Sequence, residues 1–364
     1  MNTDILFSPF SVGNLSLANR IVMAPMTRGF SPDGVPDSNV AAYYRSRAEG
    51  GVGLIVTEGV AINHPSAVSH QNIPNLHDEA ALAGWKKVVE EVHAAGGKII
   101  PQLWHVGMTR TVGELPNVEA LPVGPSGLNL AGEQVNEPLT TAEVENLVAA
   151  FAQAAANAKA VGFDGIELHG AHGYLIDQFF WERTNKRQDR YGGDLVGRTT
   201  FAVEIIEACR KAVGPDFPIV LRFSQWKLGA YDEKLAHNPD ELQSFLTPLS
   251  HAGVDIFHCS TRRFSVPEFE GANLNLAGWT KKLTGKPCIT VGSIGLHSDF
   301  FAEESLQKTG DTINELLERM DREEFDLVAV GRALLSDPAW PLKVQNGAIE
   351  DIIPFTPEAT KSLV

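Results

Sequence analysis

Cysteine is scarce in this chain of 364 residues: Cys209, Cys259 and Cys288 are scattered and odd in number. Their spacing fits neither a disulfide framework nor a cysteine-ligated metal, and a reducing, cytoplasmic setting suits them best. Positive charge is also short. Lys and Arg number 30 against 45 Asp and Glu, a formal net charge of −15. That balance argues against nucleic acid as a partner, although a local basic site stays open. No apolar run approaches the roughly 20 residues that span a bilayer. The opening MNTDILFSPF has no basic stretch leading into an apolar run, so no secretory signal is expected. No glycine-rich dinucleotide fingerprint follows the first strand-like run, where the chain reads APMTRG, and no linker divides the sequence.

What the chain does contain is a repeat of short apolar runs rich in β-branched residues. They fall at Arg20–Ala24, Val52–Val56, Lys98–Pro101, Phe163–Leu168, Pro218–Arg222, Val254–His258, Pro287–Val291 and Asp326–Val330. Runs apolar on both faces read as buried parallel strands. Helical periodicity separates several of them. Over Thr141–Ala160 the apolar positions share one face, with Thr140 and Glu143 placed as a capping box and Gly162 just past the end. Asp78–Ala95 and Thr199–Val213 read the same way, and Pro248 is expected to end or kink the helix that begins near Pro239. Eight strand–helix repeats indicate an α/β fold, a (β/α)8 TIM barrel, with residues 1–364 as a single domain. The Gly- and Pro-rich stretch Trp104–Leu139 is then a long excursion after strand three, over the barrel mouth. A doubly wound open sheet is the alternative.

Barrel enzymes carry their chemistry at the C-terminal strand ends. Here those ends present Pro25, Met26 and Thr27; Thr57, Glu58 and Gly59; Gln102 and Trp104; His169, His172 and Tyr174; Arg222; Ser260 and Thr261; Gly292 and Ser293; and Gly331 and Arg332. The segment HGAHGYL, His169–Leu175, combines two imidazoles with a phenol, a set suited to holding a substrate oxygen while a proton is delivered nearby. At the ends of strands seven and eight, VGSIG and VGR offer glycines for close backbone approach and a guanidinium for a phosphate. A phosphate site, an amide at Gln102 and a cation at Arg222 together suggest flavin mononucleotide.

These residues carry a family likeness. From about Leu6 to Phe355 the chain resembles the old yellow enzyme family of FMN-dependent ene-reductases. The segments LFSPFSVGNLSLANRIVMAPMTR, QLWHVG, HGAHGYL, NKRQDRYGG and VGRALLSDP follow in family order and spacing. The resemblance implies non-covalent FMN, with NAD(P)H as electron donor and small activated alkenes as substrates. It implies that Thr27 hydrogen-bonds the flavin carbonyl near N5, and that Pro25, Ala61 and Gln102, with Met26 beside them, contact the isoalloxazine. Arg222 then stands near flavin N1, while Gly292, Ser293, Gly331 and Arg332 hold the phosphate. His169 and His172 bind the substrate carbonyl or nitro oxygen, Tyr174 is the proton donor, and Trp104 lines the pocket. The protein is expected to be cytoplasmic, a monomer or homo-oligomer, with no nucleic-acid or membrane partner.

The chain departs from the family pattern at Met108, where an arginine is common and Arg110 follows, and at Trp181, Glu182 and Gln188. It pairs the threonine of one branch, Thr27, with the second histidine of another, His172, and lacks the cysteines that larger relatives use for an iron–sulfur cluster. His64, His70, His77, His93, His105 and His297 are read as structural or solvated. So is the basic run Arg183, Lys186, Arg187 and Arg190. Arg262 and Arg263, just past strand six, are better placed to meet a nicotinamide phosphate. Two other functions compete: a metal-dependent hydrolase on the same barrel using His169 and His172, and a non-catalytic flavin-binding protein.

Overall fold

The computed structural model describes residues 3–296 and 309–364; His297 lies outside them. Eight parallel strands close into a barrel in sequence order. They are β1 Ile21–Met23, β2 Leu54–Ala61, β3 Lys98–Trp104, β4 Ile166–His172, β5 Ile219–Lys227, β6 Ile256–Ser260, β7 Cys288–Val291 and β8 Leu327–Val330. Closure is made by β8 pairing with β1, Val328 opposite Ile21 and Val330 opposite Met23, which rules out an open sheet. Each strand is followed by its helix: α1 Ser38–Glu49, α2 Glu79–Ala94, α3 Thr141–Val161, α4 Thr200–Val213, α5 Pro239–Ala252, α6 Leu276–Thr284, α7 Thr309–Asp321 and α8 Trp340–Gln345.

Strand alternation sorts the apolar side chains into two cores. Ile21, Met23, Ile55, Ile99, Ile166, Leu168, Leu221 and Phe257 point outward and pack under the helices. Val22, Leu54, Val56, Ile100, Val220, Ile256, Ile289 and Leu327 fill the barrel, joined by Leu15 and Leu17. The last two belong to a small antiparallel hairpin, Phe10–Val12 with Leu15–Leu17, which plugs the N-terminal end. Burying a Val, Leu or Ile side chain is worth roughly 1.5–3 kcal/mol, so this filling makes the lower barrel a rigid base for the opposite end.

The expected capping box at α3 is present, with Thr140 accepting from the Glu143 N–H and Gly162 closing the helix at φ 106°. Pro248 does not end α5, which runs four residues past it to Ala252. Leu242, Phe245, Leu246 and Leu249 are buried on either side of the proline, and that packing carries the last turn despite the missing N–H. Five strands outrun their apolar stretches at the C-terminal end. β2 and β5 are extended most, reaching Ala61 rather than Val56 and Lys227 rather than Arg222. The excursion before α3 is ordered largely without regular structure. Arg110, its guanidinium buried inside it, donates to the carbonyls of Val68, Glu114, Asn117 and Ala120. Where the excursion reaches the barrel mouth, Leu130 packs on Gly173. Among the described residues no helix is long and apolar enough to cross a membrane, and the three cysteines are free and buried.

Candidate active site

The alternation that fills the lower barrel with apolar side chains fills its upper layer with polar ones. Gln102 follows Ile100 on the inward face of β3, Arg222 follows Val220 on β5, and His258 follows Ile256 on β6. Glu167 is the inward residue of β4, between the outward Ile166 and Leu168. Gln102, Glu167 and His258 form one hydrogen-bonded network. Gln102 Nε2 donates to Glu167 Oε1 at 2.7 Å, and His258 Nδ1 lies 2.6 Å from Glu167 Oε2. Arg222, beside them, reaches Ser260 Oγ at 3.3 Å. A fully buried carboxylate of this kind is retained when its acceptors are used, and here it fixes the amide of Gln102 in one orientation.

Above this layer opens a cavity of about 330 Å³ at the C-terminal mouth. Its wall brings together Pro25, Met26 and Thr27 from the end of β1, Gln102 and Trp104 from β3, and His169, His172 and Tyr174 from β4 and its turn. Arg222, Gly292, Ser293, Gly331 and Arg332 complete the set expected from sequence. Ala61 does not line this cavity. It ends β2 opposite Trp104, and its N–H donates to the Pro74 carbonyl at 2.8 Å. The register of β2 shifts between Val56 and Gly59, so residues beyond that bulge no longer follow a simple count from the strand start. Gly59 is the constrained position here, because a Cβ on it would stand 2.4 Å from the Trp104 ring.

One wall of the cavity is aromatic. The Tyr174 ring meets Trp104 edge-on at 5.0 Å and His169 at 4.9 Å between centroids. His172 stacks on Trp226 at 4.3 Å and 20°, and its Nε2 is 2.8 Å from Ser260 Oγ. To stand there His172 adopts φ 65°, followed by Gly173 at φ 82°. A left-handed conformation costs a non-glycine residue roughly 1–2 kcal/mol. The turn offsets that cost through its hydrogen bonds: His172 N–H to Ser224 Oγ at 2.9 Å, and Leu228 N–H to the His172 carbonyl at 3.2 Å.

Burial, aided by the nearby Arg222 cation, holds the pKa values of His169 and His172 well below the usual imidazole range, so both rings are neutral at neutral pH. Burial pushes the Tyr174 phenol up, which keeps its proton in place. No protein hydrogen bond reaches that hydroxyl among the described residues.

Thr27 is placed indirectly. The buried Glu58 carboxylate accepts the N–H groups of Arg28 and Gly29, both at 2.9 Å, and so fixes the turn after β1. Burial raises the Glu58 pKa to about 7, against the pull of those two N–H groups. A raised carboxyl pKa gives stability that is present below the unfolded value near 4.3 and lost as pH rises through about 7. Glu58→Gln abolishes that titration. Its unfolding free energy relative to wild type should therefore improve by a few kcal/mol between pH 5 and pH 8, as read by urea denaturation. A difference that does not vary with pH would contradict the assignment.

Three arginines line the cavity, Arg222, Arg262 and Arg332, and no carboxylate among the described residues does. In a chain of net charge −15 this is a concentrated positive site, suited to an anion. Three buried polar atoms on its wall, Trp104 Nε1, His169 Nδ1 and Arg222 Nε, lack a protein partner. Such orphans await acceptors from a bound group. Gly292 has φ 144°, and a Cβ there would stand 2.7 Å from the Thr261 carbonyl oxygen, so backbone rather than side chain faces the cavity. Beside it Ser293 Oγ donates to the Arg262 carbonyl, and Arg332 lies over the Phe355 ring at 5.5 Å. The donors fit FMN: a guanidinium and an oriented amide for the ring edge, and glycines with an arginine for the phosphate.

Sequence reasoning missed Glu167, His258, Trp226, Tyr231 and Phe355. The histidines set aside as structural have protein partners: His105 Nε2 lies 2.9 Å from His64 Nδ1, and His93 Nε2 lies 2.8 Å from Asp164. Arg183, Arg187 and Arg190 pair with Glu233, Asp189 and Glu145. Met108, Trp181, Glu182 and Gln188 do not line the cavity, while Arg262 does.

Comparison with known proteins agrees with this geometry. The profile of the NADH:flavin oxidoreductase / NADH oxidase family matches residues 5–351. A putative 12-oxophytodienoate reductase-like protein of Arabidopsis thaliana is 41% identical over 356 residues, covering 92% of this chain and 98% of the plant protein. An NADH oxidase of Thermoanaerobacter brockii is 37% identical over 95% of this chain and 52% of its own length. The chain thus spans about half the length of that relative. The solved structure of morphinone reductase in complex with tetrahydroNAD superposes with a TM-score of 0.80 at 29% identity, covering 98% of this chain and 93% of that one.

Proposed function

The chain belongs to the NADH:flavin oxidoreductase / NADH oxidase family, the old yellow enzymes, and from that membership we propose that it is an NAD(P)H-dependent reductase of activated alkenes, α,β-unsaturated carbonyl or nitro compounds. FMN bound in the cavity supplies a two-electron carrier that takes hydride from a nicotinamide and gives it to an electron-poor alkene carbon. Arg222, buried at the floor with its Nε unpaired, holds fixed positive charge where a reduced ring gathers negative charge. Gln102, oriented by Glu167, and Thr27, placed through Glu58, hydrogen-bond the ring. Gly292, Ser293, Gly331 and Arg332 take the phosphate.

The observation that carries the reading is the cluster of His169, His172 and Tyr174 on the cavity wall. Neutral imidazoles can each donate one hydrogen bond to a substrate oxygen. Negative charge grows on that oxygen as hydride arrives at the β-carbon, so these donors bind the enolate more tightly than the ground state. Tyr174, protonated and pointing into the same space, gives the α-carbon its proton. The nicotinamide and the alkene use one pocket in turn, a ping-pong cycle, which accords with the tetrahydroNAD named in the morphinone reductase complex. The protein acts as a single FMN-binding barrel over residues 1–364, in the cytoplasm.

Steady-state oxidation of NAD(P)H with cyclohexenone under nitrogen tests the proposal. Enone-dependent turnover is expected; bound flavin without turnover would favour the non-catalytic flavin carrier. His169→Ala or His172→Ala should weaken binding of 4-hydroxybenzaldehyde by about 1–3 kcal/mol through loss of a donor to a charged oxygen, with flavin content unchanged. A titration followed by flavin absorbance reads this. Loss of bound metal with flavin reactivity intact would instead favour the hydrolase. Among the described residues, no group of three or more His, Cys, Asp or Glu is placed to hold a metal ion.

A further inference from the structure

The turn that carries His172 and Tyr174 rests on a pair of charges that touch neither the cavity nor solvent. Lys227 Nζ and Asp177 Oδ1 are 2.7 Å apart, and both side chains have zero exposure. Asp177, three residues after Tyr174, is on the short helix Leu175–Phe180. Lys227 is the last residue of β5. The pair connects directly to the left-handed turn. Asp177 Oδ2 accepts the Gly173 N–H at 2.7 Å, and Lys227 Nζ also donates to the Ser224 carbonyl at 3.1 Å. Ser224 Oγ in turn accepts the His172 N–H and donates to the Trp226 carbonyl at 2.7 Å. Gln178 Nε2 donates to the Gly173 carbonyl at 2.7 Å, and Leu228 N–H to that of His172.

Every peptide N–H and C=O of the two left-handed residues is therefore held, and in this clasp the charged members are Asp177 and Lys227. Burying two charges is unfavourable against an apolar pair of the same size, so such a pair is retained where it specifies one arrangement. The arrangement specified here is the offset between the His172 ring, seated on Trp226, and the Tyr174 ring, seated against Trp104 and His169.

We propose that Asp177 and Lys227 are positioning residues for proton delivery: through Gly173 and Ser224 they set where the Tyr174 hydroxyl stands relative to the substrate oxygen held at His172. The inference rests on the alkene-reductase reading, with Tyr174 as donor. An offset of about 1 Å in a reacting group can cost on the order of a hundredfold in rate. A residue that acts only by placing Tyr174 has nothing to place once the hydroxyl is gone.

A mutant cycle tests this with the flavin-loaded protein. Asp177→Asn keeps the shape of the side chain and an acceptor for Gly173, and removes the charge. In stopped flow, reoxidation of the reduced protein by saturating cyclohexenone should slow ten- to a hundredfold in Asp177→Asn, with flavin content and the limiting rate of reduction by NAD(P)H changed less than threefold. In the Tyr174→Phe background the same substitution should slow reoxidation no further. An unchanged rate in the single variant, or full additivity with Tyr174→Phe, overturns the inference. Should Asp177→Asn not fold, Asp177→Asn with Lys227→Met leaves no unpaired charge and enters the same cycle. If Tyr174→Phe alone leaves reoxidation at the wild-type rate, the donor assignment fails, and the positioning role fails with it. An Asp177→Asn defect that is additive condemns the positioning role alone.

Discussion

Tyr174→Phe slows reoxidation of the reduced protein by an enone by roughly a hundred- to ten-thousandfold, the range of a lost general acid, and leaves reduction by NAD(P)H near the wild-type rate. The substitution keeps the ring that packs between Trp104 and His169 and removes only the hydroxyl. Hydride transfer from a nicotinamide needs no acid, whereas hydride addition to an enone leaves an enolate whose α-carbon must be protonated. Burial keeps the phenol protonated well into the alkaline range, so the wild-type reoxidation rate should hold across neutral pH. A nitroalkene should show a much smaller defect, because its nitronate persists until solvent protonates it. Stopped-flow measurement of the two halves decides the matter. Equal loss in both would make Tyr174 a wall of the pocket and nothing more.

Lys227→Met destabilises the fold by about 3–5 kcal/mol, the cost of stranding one member of a buried ion pair. Asp177 and Lys227 are both fully buried. With its partner gone, the Asp177 carboxylate keeps the Gly173 N–H alone. Burial already raises the Asp177 pKa, so the variant carboxyl takes up a proton more readily still, and its deficit should shrink as pH falls toward 5. Adding Asp177→Asn removes the stranded charge and should recover most of the loss. Urea denaturation of wild type and the two variants reads the difference, and a Lys227→Met protein as stable as wild type would show that the pair is not an ion pair in solution.

The barrel was legible because its strands are short, β-branched and buried on both faces, and its helices carry caps such as the Thr140 and Glu143 box. The place of Gly292, Ser293, Gly331 and Arg332 on the cavity wall was legible because VGS and VGR sit at strand ends. Part of what escaped reading has one cause: polar residues inside or beyond apolar runs. Glu167 and His258 are flanked by apolar neighbours, so a run-based reading passes over them, although inward parity with Gln102 and Arg222 places all four in one layer. The apolar run of β5 stops at Arg222 because polar residues follow, yet the strand continues to Lys227 and brings Trp226 to the cavity wall. Ala61, expected through the family resemblance, ends β2 beyond the irregularity between Val56 and Gly59 and is not among the residues that line the cavity. Of the two outcomes expected at Pro248, an end or a kink, the end does not occur, because the packing of Leu249 carries the helix on to Ala252.

A spectrum of the purified protein shows whether the arginine-lined cavity at the barrel mouth is an FMN site. Flavin absorbance bands are expected in the native protein, with release of FMN, in about one equivalent, into the filtrate on denaturation, since no covalent tether is expected. Arg332→Ala should release it more readily, by about 1.5–3 kcal/mol for a lost charge-assisted contact. A colourless wild-type protein that takes up no FMN on reconstitution would contradict the account at its root.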